Sequence, residues 1–199
     1  MSTTTWQSML KVPVSPTRDH LRGPVDAVVT LVEYGDYQCP HCAAAHIVLK
    51  TILPQVGDAV RYAFRHFPLS TVHPYAELAA EAAEAAGSQN SFWDMHDVLF
   101  TNQHQLDAQS LLSYAAALAL DIGRFGTELA GHTHMPKVSD DFMSGVRSGV
   151  NGTPTFFING LRHDGGWDYT SLITALQRAA IVSAGLQAAD EGKNELSMT

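Results

Sequence analysis

Positive charge is scarce in this sequence, and charged residues of either sign are few. The 199 residues carry 12 Lys and Arg against 20 Asp and Glu, a formal net charge of -8, and charged residues make up 16% of the chain. A soluble domain usually has about a quarter. A nucleic-acid backbone and an anionic membrane surface both attract basic faces, which this composition does not offer. We therefore expect neither nucleic acid nor a membrane as a partner.

Long hydrophobic runs and a visible export signal are also missing. The longest stretch without a charged residue, 148–161, contains Asn, Gly, Thr and Pro, so no transmembrane helix is predicted. The amino terminus lacks a basic start, an apolar run and a small-residue cleavage site. We therefore expect a cytoplasmic protein, or an exported one if a leader was trimmed.

Cysteine is the third scarce residue. Cys39 and Cys42 are the only two, and they form one Cys-x-x-Cys sequence. A secreted disulfide framework needs more cysteines, and the usual paired-cysteine zinc site needs a second Cys-x-x-Cys. Redox chemistry, an improvised metal site and coincidence remain open.

The chain is long enough for one buried core, or for one core with a large insertion, and 45% of it is hydrophobic. Segment 28–34 is almost continuously apolar and β-branched, which is typical of a strand covered on both faces of a sheet. Segment 60–67 alternates between apolar and polar residues, which predicts a second strand. An arm at 1–24 is punctuated by proline and has a possible short edge strand at 11–14.

Between the second strand and the end of the chain, the pattern changes twice. Helix signals repeat about five times between residues 71 and 149, and a Phe-rich strand then leads through Asn159-Gly160 into a hairpin. A final helix is predicted at 168–184. The predicted fold class is α/β with an inserted α-helical domain. Its parts are an arm at 1–24, an α/β domain at 25–70 and 150–187, the insertion at 71–149 and a flexible tail at 188–199.

The Cys-x-x-Cys sequence lies where the first strand gives way to a helix. Pro40 suits the first helical position, which makes Cys39 the N-cap, and Pro54 is expected to stop the helix. The unpaired N–H groups of the first turn stabilise a thiolate, and His41 can add a donor or a positive charge. Cys42 is three residues further on and can resolve a mixed disulfide by intramolecular attack.

Two other places are candidates for the same site. Glu33, six residues before Cys39, can accept a proton beneath the dithiol and help Cys42 to ionise; a solvated carboxylate at the strand end is the alternative interpretation. Asp36 is interpreted as a turn former. In the Gly152-Thr153-Pro154 segment, a cis bond before Pro154 would turn the Thr153 backbone outward to pair with an extended substrate. An ordinary loop is the alternative.

A zinc site is the main rival among the side chains. Cys39, His41, Cys42 and His46 supply four ligands, but three of them crowd into four residues, which rarely closes a tetrahedron. His46 is therefore interpreted as a surface histidine or as one satisfied by a hydrogen bond.

Three segments together resemble the DsbA-like thioredoxin superfamily: VEYGDYQCPHC at 32–42, RHFPL at 65–69 and GVNGTPTFFING at 149–160. The resemblance covers roughly residues 24–180. It implies a thioredoxin fold interrupted by a helical domain. It also implies that Cys39 is an exposed nucleophile, that Cys42 is the resolving cysteine and that His41 adjusts the stability of the thiolate. Glu33 matches the acidic residue that the family has six positions before the first cysteine. Pro154 matches the family's cis-proline, and Thr153 before it is expected to contact the substrate.

The resulting hypothesis is a monomeric thiol-disulfide oxidoreductase that needs no cofactor beyond the Cys39/Cys42 pair. Its expected partners are a protein or small molecule with a disulfide or thiol, and a redox partner such as glutathione, the thioredoxin system or a dedicated oxidase. The alternatives are a glutathione-dependent transferase or isomerase, against which Cys42 argues, and a zinc-binding structural module.

Overall fold

The computed structural model describes residues 8–197, and the side-chain surroundings of residues 8–186. The strands are β1 (His20–Arg22), β2 (Val29–Gly35), β3 (Val60–His66), β4 (Thr155–Ile158) and β5 (Leu161–His163). The helices are α1 (Pro40–Val56), α2 (Ala76–Gly87), α3 (Phe92–Thr101), α4 (Ala108–Ala117), α5 (Ile122–Ala130), α6 (Met135–Arg147) and α7 (Tyr169–Ser197), and a 3-10 turn at Gly57–Ala59 follows α1.

One mixed sheet forms the centre of the fold, with strand order β1-β3-β2-β4-β5. β2 and β3 are parallel, and the other three pairs are antiparallel. The apolar run of β2 is buried on both faces, as predicted. Leu31 packs in one hydrophobic cluster with Leu49 of α1 and Leu172 of α7, while Val32 packs in a second cluster on the opposite side, with Phe142 of α6 against it.

Five helices, α2 to α6, separate β3 from β4, which confirms the predicted helical insertion in an α/β fold. Two of these helices begin at an aspartate N-cap. Asp107 accepts hydrogen bonds from the backbone N–H groups of Gln109 and Ser110, and Asp121 accepts one from Arg124. Each cap satisfies donors that the first helical turn leaves free.

Two local predictions are wrong. The edge strand is β1 at His20–Arg22, within the segment predicted as an arm, and not at 11–14. Pro13 has no N–H to donate to a neighbouring strand, and its carbonyl accepts a hydrogen bond from the Arg65 guanidinium instead. Helix α1 passes through Pro54 and ends two residues later, at Val56, and its C-cap Gly57 has a φ of 52°. The proline removes one backbone bond, and the helix continues for only two residues beyond it.

The chain after the insertion forms the predicted hairpin and final helix. Asn159 and Gly160 have φ values of 48° and 80°, as a two-residue turn of type I′ requires. Helix α7 continues to Ser197, past the predicted end at residue 184. Among the described residues, no helix combines the length and apolar character needed to cross a membrane. The division into domains at the residue numbers given above stays a prediction.

Candidate active site

Cys39 and Cys42 lie at the start of α1, and both are free thiols. Cys39 is the N-cap and Pro40 the first helical residue, as the sequence predicts. The expected exposure of Cys39 is not found, since the residue is 4% exposed and Cys42 is 0% exposed. The Cys39 sulfur faces the backbone carbonyl of Thr153 at 3.5 Å, so the chain beyond the insertion covers it.

The surroundings of Cys39 favour its thiolate. A hydrogen bond from Cys42 is the largest influence, and the backbone N–H groups of His41 and Cys42 add to it. Burial acts in the opposite direction and is outweighed. Together they lower the pKa of Cys39 from 9.0 to about 5, so the sulfur is ionised at neutral pH.

The two residues between the cysteines are exposed. Pro40 provides no N–H at a position where a helix can spare one. The ring of His41 lies beside Trp167, with 6.1 Å between the ring centroids. Its backbone N–H is the part of His41 that stabilises the Cys39 thiolate. The predicted influence of the imidazole on the thiolate therefore stays a prediction.

Glu33 and Cys42 form the buried layer beneath Cys39. Glu33 is 1% exposed, so the interpretation as a solvated carboxylate is wrong. Its Oε2 accepts a hydrogen bond of 2.6 Å from Tyr62, while its Oε1 has no hydrogen-bond partner. Burial above all raises the pKa of Glu33, to about 8. Burial likewise raises the pKa of Cys42, and the charges of Glu33 and Cys39 raise it further.

The segment before β4 supplies the opposite wall of the site. The Thr153–Pro154 peptide bond is cis, and the Thr153 carbonyl is the group that faces Cys39. Pro154 borders a cavity of about 180 Å³ together with Trp167. Gly152 has a local contact instead: its carbonyl accepts a 2.7 Å bond from the Thr155 hydroxyl, and among the described residues it forms no hydrogen bond to either cysteine.

Asp36 has more contacts than a turn former needs. Its Oδ1 accepts from the backbone of Gln38, which is the predicted turn. Its Oδ2 accepts from the backbone of Leu69 and pairs with His73 at 2.8 Å, and its own N–H donates to the Cys42 sulfur at 3.4 Å. Asp36 thus fixes the position of Cys42 and joins two loops.

Gln103 is a site residue that the sequence analysis missed. Its Nε2 donates to the backbone carbonyls of Tyr37 and Cys39, at 2.8 and 2.9 Å. It lies in the loop after α3, within the inserted helices, and ties that insertion to the turn before α1. A single glutamine in a polar loop carries no sequence pattern that identifies this contact.

The four residues of the alternative zinc site are not assembled. Among the described residues, no group of three metal-ligating side chains includes either cysteine. His46 is 7% exposed, and its Nε2 has no hydrogen-bond partner within residues 8–197, so the prediction of a surface or hydrogen-bonded histidine is wrong. It lies against His96, with ring centroids 5.2 Å apart, and stacks on Phe100.

The sequence matches a family model described as thioredoxin over residues 15–178. It is 48% identical over 170 residues to the Na(+)/H(+) antiporter NhaA 1 of Salinispora arenicola, which covers 85% of this chain and 26% of that protein. It is 47% identical over 178 residues to NhaA 3 of Salinispora tropica, which covers 89% of this chain and 27% of that protein. The chain therefore spans about a quarter of the length of these curated relatives.

Solved structures share the architecture. The oxidised form of BdbD from Bacillus subtilis has a TM-score of 0.74 at 23% identity, covering 87% of this chain and 97% of that one. The α-DsbA1 protein of Wolbachia pipientis has a TM-score of 0.74 at 21% identity, covering 89% and 98%. The likeness shows the same fold, a thioredoxin-like α/β domain with inserted helices, and so confirms the predicted fold class.

Proposed function

This chain belongs to the thioredoxin family, and we propose that it is a thiol-disulfide oxidoreductase in which Cys39 is the nucleophile and Cys42 the resolving cysteine. One observation carries the proposal. The helix that starts at Pro40 holds a thiol with a pKa of about 5 directly beside a second, fully buried thiol whose pKa is raised. Two thiols with opposite pKa shifts suit the two successive steps of disulfide exchange.

In the first step, the Cys39 thiolate attacks one sulfur of a substrate disulfide. A bond forms between Cys39 and that sulfur, the substrate S–S bond breaks, and the second substrate sulfur leaves as a thiolate that takes a proton from water. The Thr153 carbonyl stands 3.5 Å from the Cys39 sulfur. The backbone beside the cis bond is therefore a suitable edge for an extended substrate to pair with.

In the second step, Cys42 loses its proton and attacks the Cys39 sulfur. The mixed disulfide breaks, the remaining substrate sulfur leaves as a thiolate, and a Cys39–Cys42 disulfide forms, so two electrons pass from the protein to the substrate. Glu33 is the proposed acceptor of the Cys42 proton. With a pKa of about 8, its carboxyl gains and releases protons near neutral pH, which is what a general base needs.

The same steps in reverse oxidise a substrate dithiol, and the electrostatics favour that direction. A stabilised thiolate favours the reduced form of the pair, so the disulfide is easily given up. The two electrons pass from the substrate sulfurs to the sulfurs of Cys39 and Cys42, so the reaction is balanced without a cofactor. We propose dithiol-containing proteins as substrates, and glutathione, the thioredoxin system or a dedicated oxidase as the partner that returns the pair to its starting state.

Trapping tests the proposal. Cys42→Ala protein, reduced and mixed with oxidised glutathione at about pH 8, should accumulate one glutathione per chain at Cys39, because nothing remains to resolve the adduct. Wild-type protein should release the adduct and end as the intramolecular disulfide. Intact-mass analysis over time measures both. Cys39→Ala is the matched control and should form no lasting adduct. An adduct that persists equally in wild-type protein, or none in Cys42→Ala, refutes the assignment.

A further inference from the structure

The contact between α1 and α3 holds a second group of reactive side chains, apart from the dithiol. His46 comes from α1, and His96 and Asp97 come from α3. One potential ligand atom from each lies within 4.8 Å of the other two. Both histidines are buried, and the Asp97 side chain is 29% exposed. The group is therefore assembled inside the protein, and Asp97 is the member whose side chain is partly exposed.

Two polar atoms in this group, the Nε2 of His46 and the Oδ1 of Asp97, have no hydrogen-bond partner among the residues that the structure describes. Buried polar atoms without a partner are rare, and each one calls for an explanation. The two atoms are 3.6 Å apart, which is too far for a good hydrogen bond. Two ligands at about 2.0–2.1 Å from one tetrahedral zinc ion are separated by about 3.3 Å. A metal ion between them accounts for both.

His96 is already oriented for such a role. Its Nδ1 is 3.0 Å from the Tyr37 hydroxyl, which leaves Nε2 as the nitrogen available to a metal. A hydrogen bond on the far nitrogen is the usual way in which proteins orient a ligating histidine. Both rings are buried, at 7% and 1% exposure, and burial disfavours the charged imidazolium. Neutral imidazole is the form that binds metal.

A comparable group elsewhere shows the contrast. His66, Glu84 and Asp141 also lie close together and are buried. There, however, Glu84 binds His66 through one oxygen at 2.8 Å and His20 through the other at 2.9 Å. Asp141 binds Arg18 at 2.6 Å. Both carboxylates and the Nε2 of His66 thus have protein partners, and within this group only the Nδ1 of His66 lacks one among the described residues.

Two basic side chains face the site and lower its affinity for a cation. Arg22 and Lys50 each lie 3.6 Å from the Oδ2 of Asp97, and Arg22 also stacks over Trp93. Both contacts are to Oδ2, so Oδ1 stays available. Their positive charge also opposes a divalent cation, so we expect modest affinity.

We propose that His46, His96 and Asp97 bind one Zn²⁺ ion, with water completing the tetrahedron. Two imidazoles and a carboxylate suit zinc, whereas Ca²⁺ and Mg²⁺ prefer all-oxygen sets. The ion would hold the helix that carries the cysteines against the inserted helices. Because Cys42 is one helical turn before His46, the thiols must be removed from any test.

The experiment uses the full chain with Cys39→Ser and Cys42→Ser, titrated with Zn²⁺ alone in a calorimeter. We expect one ion per chain and a melting temperature that rises with zinc concentration. Adding His46→Gln should weaken binding by about tenfold or more. His104→Gln is the matched control, since this exposed histidine of the α3–α4 loop lies outside the group and its loss should leave binding unchanged.

Circular dichroism checks that each variant is folded. If His46→Gln is not folded, Asp97→Asn replaces it, because this change keeps the shape of a partly exposed side chain and removes its charge. Absence of zinc binding by the serine variant overturns the proposal. So does unchanged affinity in a folded His46→Gln or Asp97→Asn protein, or an equal loss in His104→Gln. These outcomes do not depend on the thiol chemistry, so the two proposals can fail separately.

Discussion

The Cys39 thiolate should make the stability of the reduced protein depend on pH in a way that the oxidised protein does not share. The pKa of Cys39 is lowered from 9.0 to about 5 in the folded state. A lowered pKa adds stability that is complete above the unfolded value of 9.0 and is lost as the pH falls through about 5. Each pH unit between these limits is worth about 1.36 kcal/mol.

The size of the effect follows from the two pKa values. At pH 7 the thiolate contributes roughly 3 kcal/mol to the free energy of unfolding, and at pH 5 less than about 1 kcal/mol, a difference of about 2 kcal/mol. Glu33 also titrates in this range, but burial is the main cause of its raised pKa and persists in both redox states. Its contribution therefore largely cancels when reduced and oxidised proteins are compared.

Urea unfolding followed by circular dichroism measures this difference. Reduced and oxidised proteins are unfolded at about pH 5, 6 and 7, and the reduced protein should gain about 2 kcal/mol on the oxidised one across the series. Cys39→Ser protein has no thiolate at that position, so its pH dependence should follow that of the oxidised protein. If the difference in the free energy of unfolding between reduced and oxidised protein stays constant from pH 5 to pH 7, the inference that Cys39 is ionised is refuted.

Three further changes test the buried groups and one cap. Glu33→Gln should slow release of the mixed disulfide by about tenfold or more, measured by intact mass, whereas Glu81→Gln in the inserted helices should not. Since the pKa of Glu33 is raised to about 8, Glu33→Gln should also stabilise the protein at pH 7 by up to about 3 kcal/mol and have little effect near pH 4; equal effects at both pH values would contradict this. Asp19→Asn should cost about 3–5 kcal/mol in urea unfolding, because it leaves the fully buried Arg65 without its 2.8 Å partner, and a loss below about 1 kcal/mol would count against that pair. Asp107→Ala should cost about 1 kcal/mol through the lost cap of α4, and unchanged stability would mean that the cap contributes nothing.

The parts of the molecule that the sequence predicts well are those with local causes. The buried strand β2 follows from its continuous apolar run, and the turn at Asn159-Gly160 follows from two residues that accept positive φ. The N-cap position of Cys39 follows from the proline after it. Each of these signals lies within a few residues, where backbone sterics and hydrogen bonding act directly.

The parts that the sequence does not predict depend on contacts between distant segments. Gln103 reaches the carbonyl of Cys39 across 64 residues. Arg65 looks like the polar side of an alternating strand, yet it is fully buried because Asp19 and carbonyls of the amino-terminal segment surround it. The environment of His46 is set by α3, which no pattern in α1 reveals. Tertiary packing decides these positions, and local sequence carries no record of it.

The separation of Cys39 from Thr153 in the chain, 114 residues, has a consequence for synthesis on the ribosome. β2, α1 and β3 emerge early, but β4 pairs with β2 only after all the inserted helices have been made. Until then the nascent chain carries both cysteines without the wall that Thr153 provides. Cys39 therefore stays without this cover while the inserted helices are being synthesised, and it gains the cover only when β4 pairs with β2.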